Sequence, residues 1–260
     1  MAAAVTGDDS NISAVEKGKT DNDSDLIIST NPTIDLTQRL IAEFFGTYII
    51  IFVGCSTVAS DKLFDGKITF PGICVTWGLI VMATIYALQH VSAHFNPAVT
   101  VALAFLGMFP LNEVILYLAS QLLGAVLASG TISLILNITP KAFFGTTPSG
   151  STMQAIVVEI IVAFIMMFIV SGAINDRRAI KEHGGIIVGM TITLNIFAGG
   201  QISGASMNPA RSLGPAMVLN NYNAIWVYII GPIIGAIGGG FAYNLLKPTD
   251  KSLSDLIKRT

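Results

Sequence analysis

Six stretches of this chain are apolar for about 20 residues each, enough for a helix to cross a bilayer hydrocarbon core of roughly 30 Å. They run over 40–60, 69–90, 111–136, 153–173, 184–200 and 224–246. The fifth is interrupted by Thr191, Thr193 and Asn195. Of 260 residues, 52% are hydrophobic and only 12% are charged, about half the charged fraction usual in soluble domains. One water-soluble globule cannot hide that much apolar surface, so the expected class is an all-α membrane protein. Glycines recur in the stretches, as at Gly231, Gly235, Gly238, Gly239 and Gly240. Small residues let helices approach closely in lipid, where apolar attraction alone gives no preference.

The chain outside the stretches is polar. Residues 10–25 are rich in Asp, Ser, Asn and Lys and are expected to be disordered. Residues 1–36 therefore read as an N-terminal tail without a signal peptide's apolar core, which leaves insertion to the first span. Residues 247–260 read as a second tail, with 37–246 the spanning domain between them. Lys17, Lys19, Arg39, Arg177, Arg178, Lys181, Lys247, Lys251, Lys258 and Arg259 fall on one side of the expected topology. Only Lys62, Lys67 and Lys141 fall on the other. By the positive-inside rule both termini are expected in the cytoplasm, in the plasma membrane or an internal one.

Two apolar pieces are too short to span: 96–105 after the second stretch and 208–218 after the fifth. Each opens with Asn-Pro-Ala, as Asn96-Pro97-Ala98 and Asn208-Pro209-Ala210. At about 1.5 Å per residue each covers roughly half the membrane. Short interrupted segments in matching places of two halves point to a permeation site. The halves are repeats, 37–136 and 152–246. Ala42-Glu43-Phe44-Phe45 aligns with Val158-Glu159-Ile160-Ile161, and Gln121-Leu122-Leu123-Gly124-Ala125 with Pro232-Ile233-Ile234-Gly235-Ala236. Three spans per repeat is an odd number, so the second copy is expected to be inverted.

Asn is a favoured helix N-cap, and Pro suits the first helical position because its missing N–H is not needed there. Two half-helices entering from opposite faces would bring both Asn side chains to a shared lumen. Each helix start carries roughly half a positive charge, and two such ends at mid-membrane repel cations and interrupt a proton wire. Arg211 is a permanent charge inside an otherwise neutral half-helix, a placement whose default reading is functional. Glu43 and Glu159 are the acids well inside spans. Their matched repeat positions favour bracing, each accepting hydrogen bonds from re-entrant backbone that must be satisfied within the protein.

The segments His94-Phe95-Asn96-Pro97-Ala98-Val99-Thr100 and Ser206-Met207-Asn208-Pro209-Ala210-Arg211-Ser212 closely resemble the two signature loops of aquaporins and aquaglyceroporins, the major intrinsic proteins. The stretch 204–216, the run Ile68-Thr69-Phe70-Pro71-Gly72-Ile73 and the following Trp77 look like the nodulin-like subfamily of plants. The resemblance covers residues 36–250. It implies a right-handed bundle of six helices and two half-helices in inverted repeats, assembled as a homotetramer with one pore per subunit. It also implies a selectivity constriction of Trp77, Ile196, Ala205 and Arg211. Water-selective relatives carry His where Ile196 stands, so an apolar wall facing one cationic donor implies glycerol-like polyols, urea, ammonia or weak-acid metalloids, with some water.

The expected partners are thus small neutral solutes, water and lipid. A net charge of −2 gives no reason to expect nucleic acid. Cys55 and Cys74 lie in apolar runs and, like His90, His94 and His183, form no metal-ligand pattern, so no metal or cofactor is expected. No nucleophile, base and orienting group share a site, which argues against an enzyme. A secondary transporter also uses inverted repeats and broken helices, but no coupling carboxylate stands beside these broken helices. A non-conducting adhesion or scaffold protein is a third possibility, which any measurable permeability excludes. The sequon at Asn137 abuts a span and precedes Pro140, and Ser252, Ser254 and Thr260 read as solvated tail. The first loop, Val91-Ser92-Ala93-His94-Phe95-Asn96, is one residue shorter than the second and lacks the glycine found there as Gly204. Either the second span unwinds to supply the length, or Asn96 is displaced. Displacement would weaken conduction.

Overall fold

A computed structural model describes residues 32–138, 142–176 and 178–247. Among them are eight α-helices and no strand: α1 (Pro32–Leu63), α2 (Thr69–Leu88), α3 (Pro97–Phe105), α4 (Leu111–Ile135), α5 (Thr152–Val170), α6 (Gly184–Ser203), α7 (Pro209–Leu219) and α8 (Val227–Asn244). Six are long and apolar enough to cross a membrane, and α3 and α7 are the short pair. Large apolar side chains cover the outside, among them Leu111, Ile115, Leu134, Met153 and Leu194. Such a surface suits lipid and would be untenable in water.

Local chemistry sets the ends. Asn96 and Asn208 are extended N-caps whose side chains accept from Ala98 and Ala210 N–H, with Pro97 and Pro209 in the first turn. Ser151 and Gln154 form a capping box on α5. Gly204, at φ 89°, ends α6 in the left-handed conformation that glycine takes without strain. The first span outruns its apolar stretch because α1 begins at Pro32, within the segment read as tail, and an Asp35–Arg39 pair four residues apart supports its polar start. The apolar fifth stretch continues as helix to Ser203 despite its polar residues. Thr191 and Thr193 donate to the carbonyls four residues back, and Asn195 donates to Val162 O on α5. Beyond Val170, α5 widens into a π-type turn over Ser171–Asn175.

Packing repeats between the halves. Helix α1 packs on α4 and α2 as α5 packs on α8 and α6; α3 packs on α8 as α7 packs on α4. Helices α2 and α6 meet each other, as do α3 and α7. Glycines permit the closest approaches. A Cβ at Gly124 would lie 2.4 Å from Phe44 O, and one at Gly235 would lie 2.2 Å from Ile160 O. Gly78 and Gly189 face each other the same way across the α2–α6 contact, at 2.4 and 2.6 Å. Residues 1–31 and 248–260, including Ser252, Ser254 and Thr260, and Thr139 of the sequon lie outside the described residues.

Candidate permeation site

The starts of the two half-helices meet through crossed hydrogen bonds. Asn96 Nδ2 donates to Met207 O at 2.8 Å, and Asn208 Nδ2 donates to Phe95 O at 2.9 Å. One N–H of each amide therefore ties the loops together rather than facing the lumen. An amide carries two N–H groups, and both Asn96 and Asn208 line the same cavity. Phe95 and Met207, each immediately before its Asn, have φ of 49° and 55°. Such values are uncommon for side-chain-bearing residues and persist where surroundings over-determine them.

The buried glutamates supply that determination. Glu43 accepts from His94 N (2.8 Å), Phe95 N (2.7 Å), Ser92 Oγ (2.6 Å) and Gln121 Nε2 (2.8 Å). Glu159 accepts from Ser206 N (2.8 Å), Met207 N (2.9 Å) and Ser203 Oγ (2.7 Å). Both carboxylates are fully buried. A buried acceptor is tolerable when each lone pair meets a donor. Six residues after the loop contact, Thr100 Oγ1 meets His94 Nδ1 (3.1 Å), and Ser212 Oγ meets Ser206 Oγ (2.7 Å). Tyr117 OH and Tyr228 OH, on matching turns of α4 and α8, reach Ser92 Oγ and Ser203 O. These supporting residues were not singled out in the sequence. Their signal was repeat equivalence, because each stands 111 or 112 positions from its partner.

Ser92 pairs with Ser203 and His94 with Ser206, so the absent residue is located: Ala93 alone stands where the second loop has Gly204-Ala205. The second span unwinds to accommodate it. Helix α2 stops at Leu88 and continues as hydrogen-bonded turns to Ser92, whereas α6 stays helical to Ser203. Asn96 keeps the crossed bond and the N-cap bond that Asn208 makes, and is not displaced, so the expectation of weakened conduction has no structural ground.

Arg211 is bound from several sides. Its guanidinium donates to Gly204 O (2.9 Å), Ala205 O and Ser206 O (3.3 Å), and its Cζ lies 4.1 Å from the centre of the Trp77 ring. A Cβ at Gly54 would lie 2.4 Å from the same ring. Trp77 Nε1 is buried without a partner, so the indole offers ring carbon rather than a donor. Trp77, Ile196 and Arg211 all line a cavity of about 90 Å³, room for several waters at roughly 10–15 Å³ each. Ala205 does not line it; this residue, at φ 43°, contributes its carbonyl to Arg211 instead. The remaining wall is mostly aliphatic: Ile50, Val81, Met166, Val170 and Ile192 among others. Outside the spans, Arg178 pairs with Asp176 at 2.7 Å and Tyr243 OH donates to the same carboxylate at 2.9 Å. The Arg178 guanidinium holds that carboxyl well below the usual range. Among the described residues no cluster of His, Cys, Asp or Glu has the arrangement of a metal site.

Six apolar helices and two opposed half-helices around one cavity define a transmembrane channel for small solutes. The chain belongs to the major intrinsic protein family, whose model matches residues 31–243 and whose members are channels rather than enzymes. It is 56% identical over 256 residues to the probable aquaporin NIP4-2 of Arabidopsis thaliana, covering 96% of this chain and 90% of that one. To the probable NIP-type aquaporin of Nicotiana alata it is 50% identical, covering 99% and 97%. To nodulin-26 of Glycine max it is 45% identical, covering 90% and 86%. The X-ray structure of the aquaglyceroporin from Plasmodium falciparum shares the fold at a TM-score of 0.73 and 24% identity, covering 86% of this chain and 100% of that one.

Proposed function

We propose that the chain passes small uncharged solutes passively, glycerol and similar polyols foremost, with urea, ammonia, weak-acid metalloids and some water, while excluding protons and ions. The observation that carries this reading is the one-sided chemistry of the Arg211 region. Ring carbon of Trp77 and alkyl carbon of Ile196 share the cavity with a guanidinium whose position is fixed by three carbonyls. A polyol has the same asymmetry, a C–H edge and an O–H edge, and ligand sites of this type combine apolar lining with a few placed polar groups. The names of the similar proteins, aquaporins and an aquaglyceroporin, support it.

In this reading Trp77, Ile196 and Arg211 select the solute, and Ala205 acts by holding Arg211. Asn96, Pro97, Ala98, Asn208, Pro209 and Ala210 form the central crossing, where two helix N-termini oppose cations. Glu43 and Glu159 brace the loops. The working unit is a homotetramer with a pore in each subunit, and both termini face the cytoplasm in the plasma membrane or an internal one. Residues 37–246 form the channel, with 1–36 and 247–260 as tails.

The test is swelling of proteoliposomes in a graded series of uncharged solutes, with a parallel proton-flux measurement. Glycerol entry without proton current is expected. Solute entry that saturates and follows a proton gradient would overturn the passive reading.

A further inference from the structure

The internal two-fold relation carries the constriction proposed above onto the other half of the cavity. The mutual contact of Gly78 and Gly189 fixes the register of α2 on α6 at 111 residues. Trp77 then corresponds to Val188, and Ile85 to Ile196. The crossed Asn96 and Asn208 bonds fix the loops at 112 residues, so Val99 corresponds to Arg211. Ala93 stands in place of Gly204-Ala205. All four counterparts, Ile85, Ala93, Val99 and Val188, line the same cavity as Trp77, Ile196 and Arg211.

The two quartets differ in one respect, which is polarity. On the α7 side a guanidinium offers N–H groups. On the α3 side not one of the four side chains has a polar atom. The nearby polar groups are partly engaged: Glu43 accepts four bonds and His94 Nδ1 meets Thr100 Oγ1, which leaves His94 Nε2 and the second Asn96 N–H as the polar side-chain groups of this half of the lining. Val170 at the end of α5 and Ile174 in the turn beyond it add further aliphatic wall to the cavity. A water against these four side chains gives up hydrogen bonds to bulk and gains none from them in return, whereas a polyol rests its C–H edge on the wall.

The geometry points to Ile85, Ala93, Val99 and Val188 as a second, wholly apolar selectivity element that holds back water more than amphiphilic solutes. This rests on the proposed passage of small neutral solutes through the cavity. The Arg211 region selects by donating hydrogen bonds, and these four side chains select by withholding them. The water-to-polyol ratio depends on both.

Osmotic stopped-flow on proteoliposomes, normalised to channels per vesicle, tests it with Val188→Thr. Helix α6 already accommodates Thr191 and Thr193 through bonds to the carbonyls four residues back, so a hydroxyl at 188 has the same support. Water permeability should rise roughly two- to tenfold, the rate equivalent of one regained neutral hydrogen bond, with glycerol permeability changed less. Val99→Thr is the second variant, on a different element, and the same rise is expected. Unchanged water permeability in whichever of the two assembles would overturn the inference. The readout is water flux, so it stands apart from the polyol reading. A parent channel that passes water but no glycerol would defeat that reading while leaving this test intact.

Discussion

Trp77 lies with its ring centre 4.1 Å from Cζ of Arg211, and the same ring closes on Gly54 of α1. The indole is in contact with a cation and with a bare stretch of α1. A rigid ring packed this closely on α1 must shift if a side chain is added there. Gly54→Ala would put a Cβ 2.4 Å from ring carbon, closer than real contacts allow. Overpacking of this kind costs about 1–3 kcal/mol. The variant should be less heat-stable, and glycerol flux per channel should fall severalfold as the ring advances. A melting curve with solute-swelling rates checks both; unchanged flux with a normal melting temperature would contradict the clamped indole.

The carboxylates differ in load. Glu43 receives four hydrogen bonds and Glu159 three. Gln at either position turns one acceptor toward a buried N–H as a donor, at about 1–3 kcal/mol for the unsatisfied group. Both Glu43→Gln and Glu159→Gln should lower the folded yield while sparing solute selectivity, with Glu43→Gln the more severe. Gel filtration of the solubilised protein gives the yield. Normal assembly with loss of a proton-coupled flux would indicate a transporter instead.

Asp176 joins the turn after α5 to Arg178 and to Tyr243 of α8. Its folded pKa is depressed, first by the side-chain bond from Arg178. A depressed carboxyl stabilises above its unfolded value, about 3.9, and that contribution is lost as pH falls through the lower folded value. The gap in melting temperature between the parent and Asp176→Asn should therefore be constant from about pH 8 to pH 5 and close only below about pH 4. A gap that closes near neutrality would contradict the assignment.

The sequence made the spans legible because hydrocarbon demands long apolar runs, and it made α3 and α7 legible because Asn-Pro is a strong helix start. Glu43 and Glu159 stood out as acids where acids are expensive. The bracing roles of Ser92, Ser203, Tyr117, Tyr228 and Gln121 did not, since a hydroxyl or amide in or beside a span is usually satisfied by nearby backbone. The extension of α1 to Pro32 was also hidden, because the helical hydrogen-bond ladder does not stop where apolar residues do. Ala205 illustrates another gap: its position relative to Arg211 was expected, but that it acts through its carbonyl depends on a φ of 43° that no side-chain pattern announces.

The most direct test of the proposed selectivity is the glycerol-to-water permeability ratio of Ile196→His, measured per channel in proteoliposomes. Ile196 is almost wholly buried against the cavity shared with Trp77 and Arg211. An imidazole there replaces alkyl surface with hydrogen-bonding nitrogen, removing part of the wall on which a polyol's C–H edge rests while giving water a partner. The ratio should fall, with glycerol flux reduced and water flux retained. An unchanged ratio in a correctly assembled channel would contradict the account.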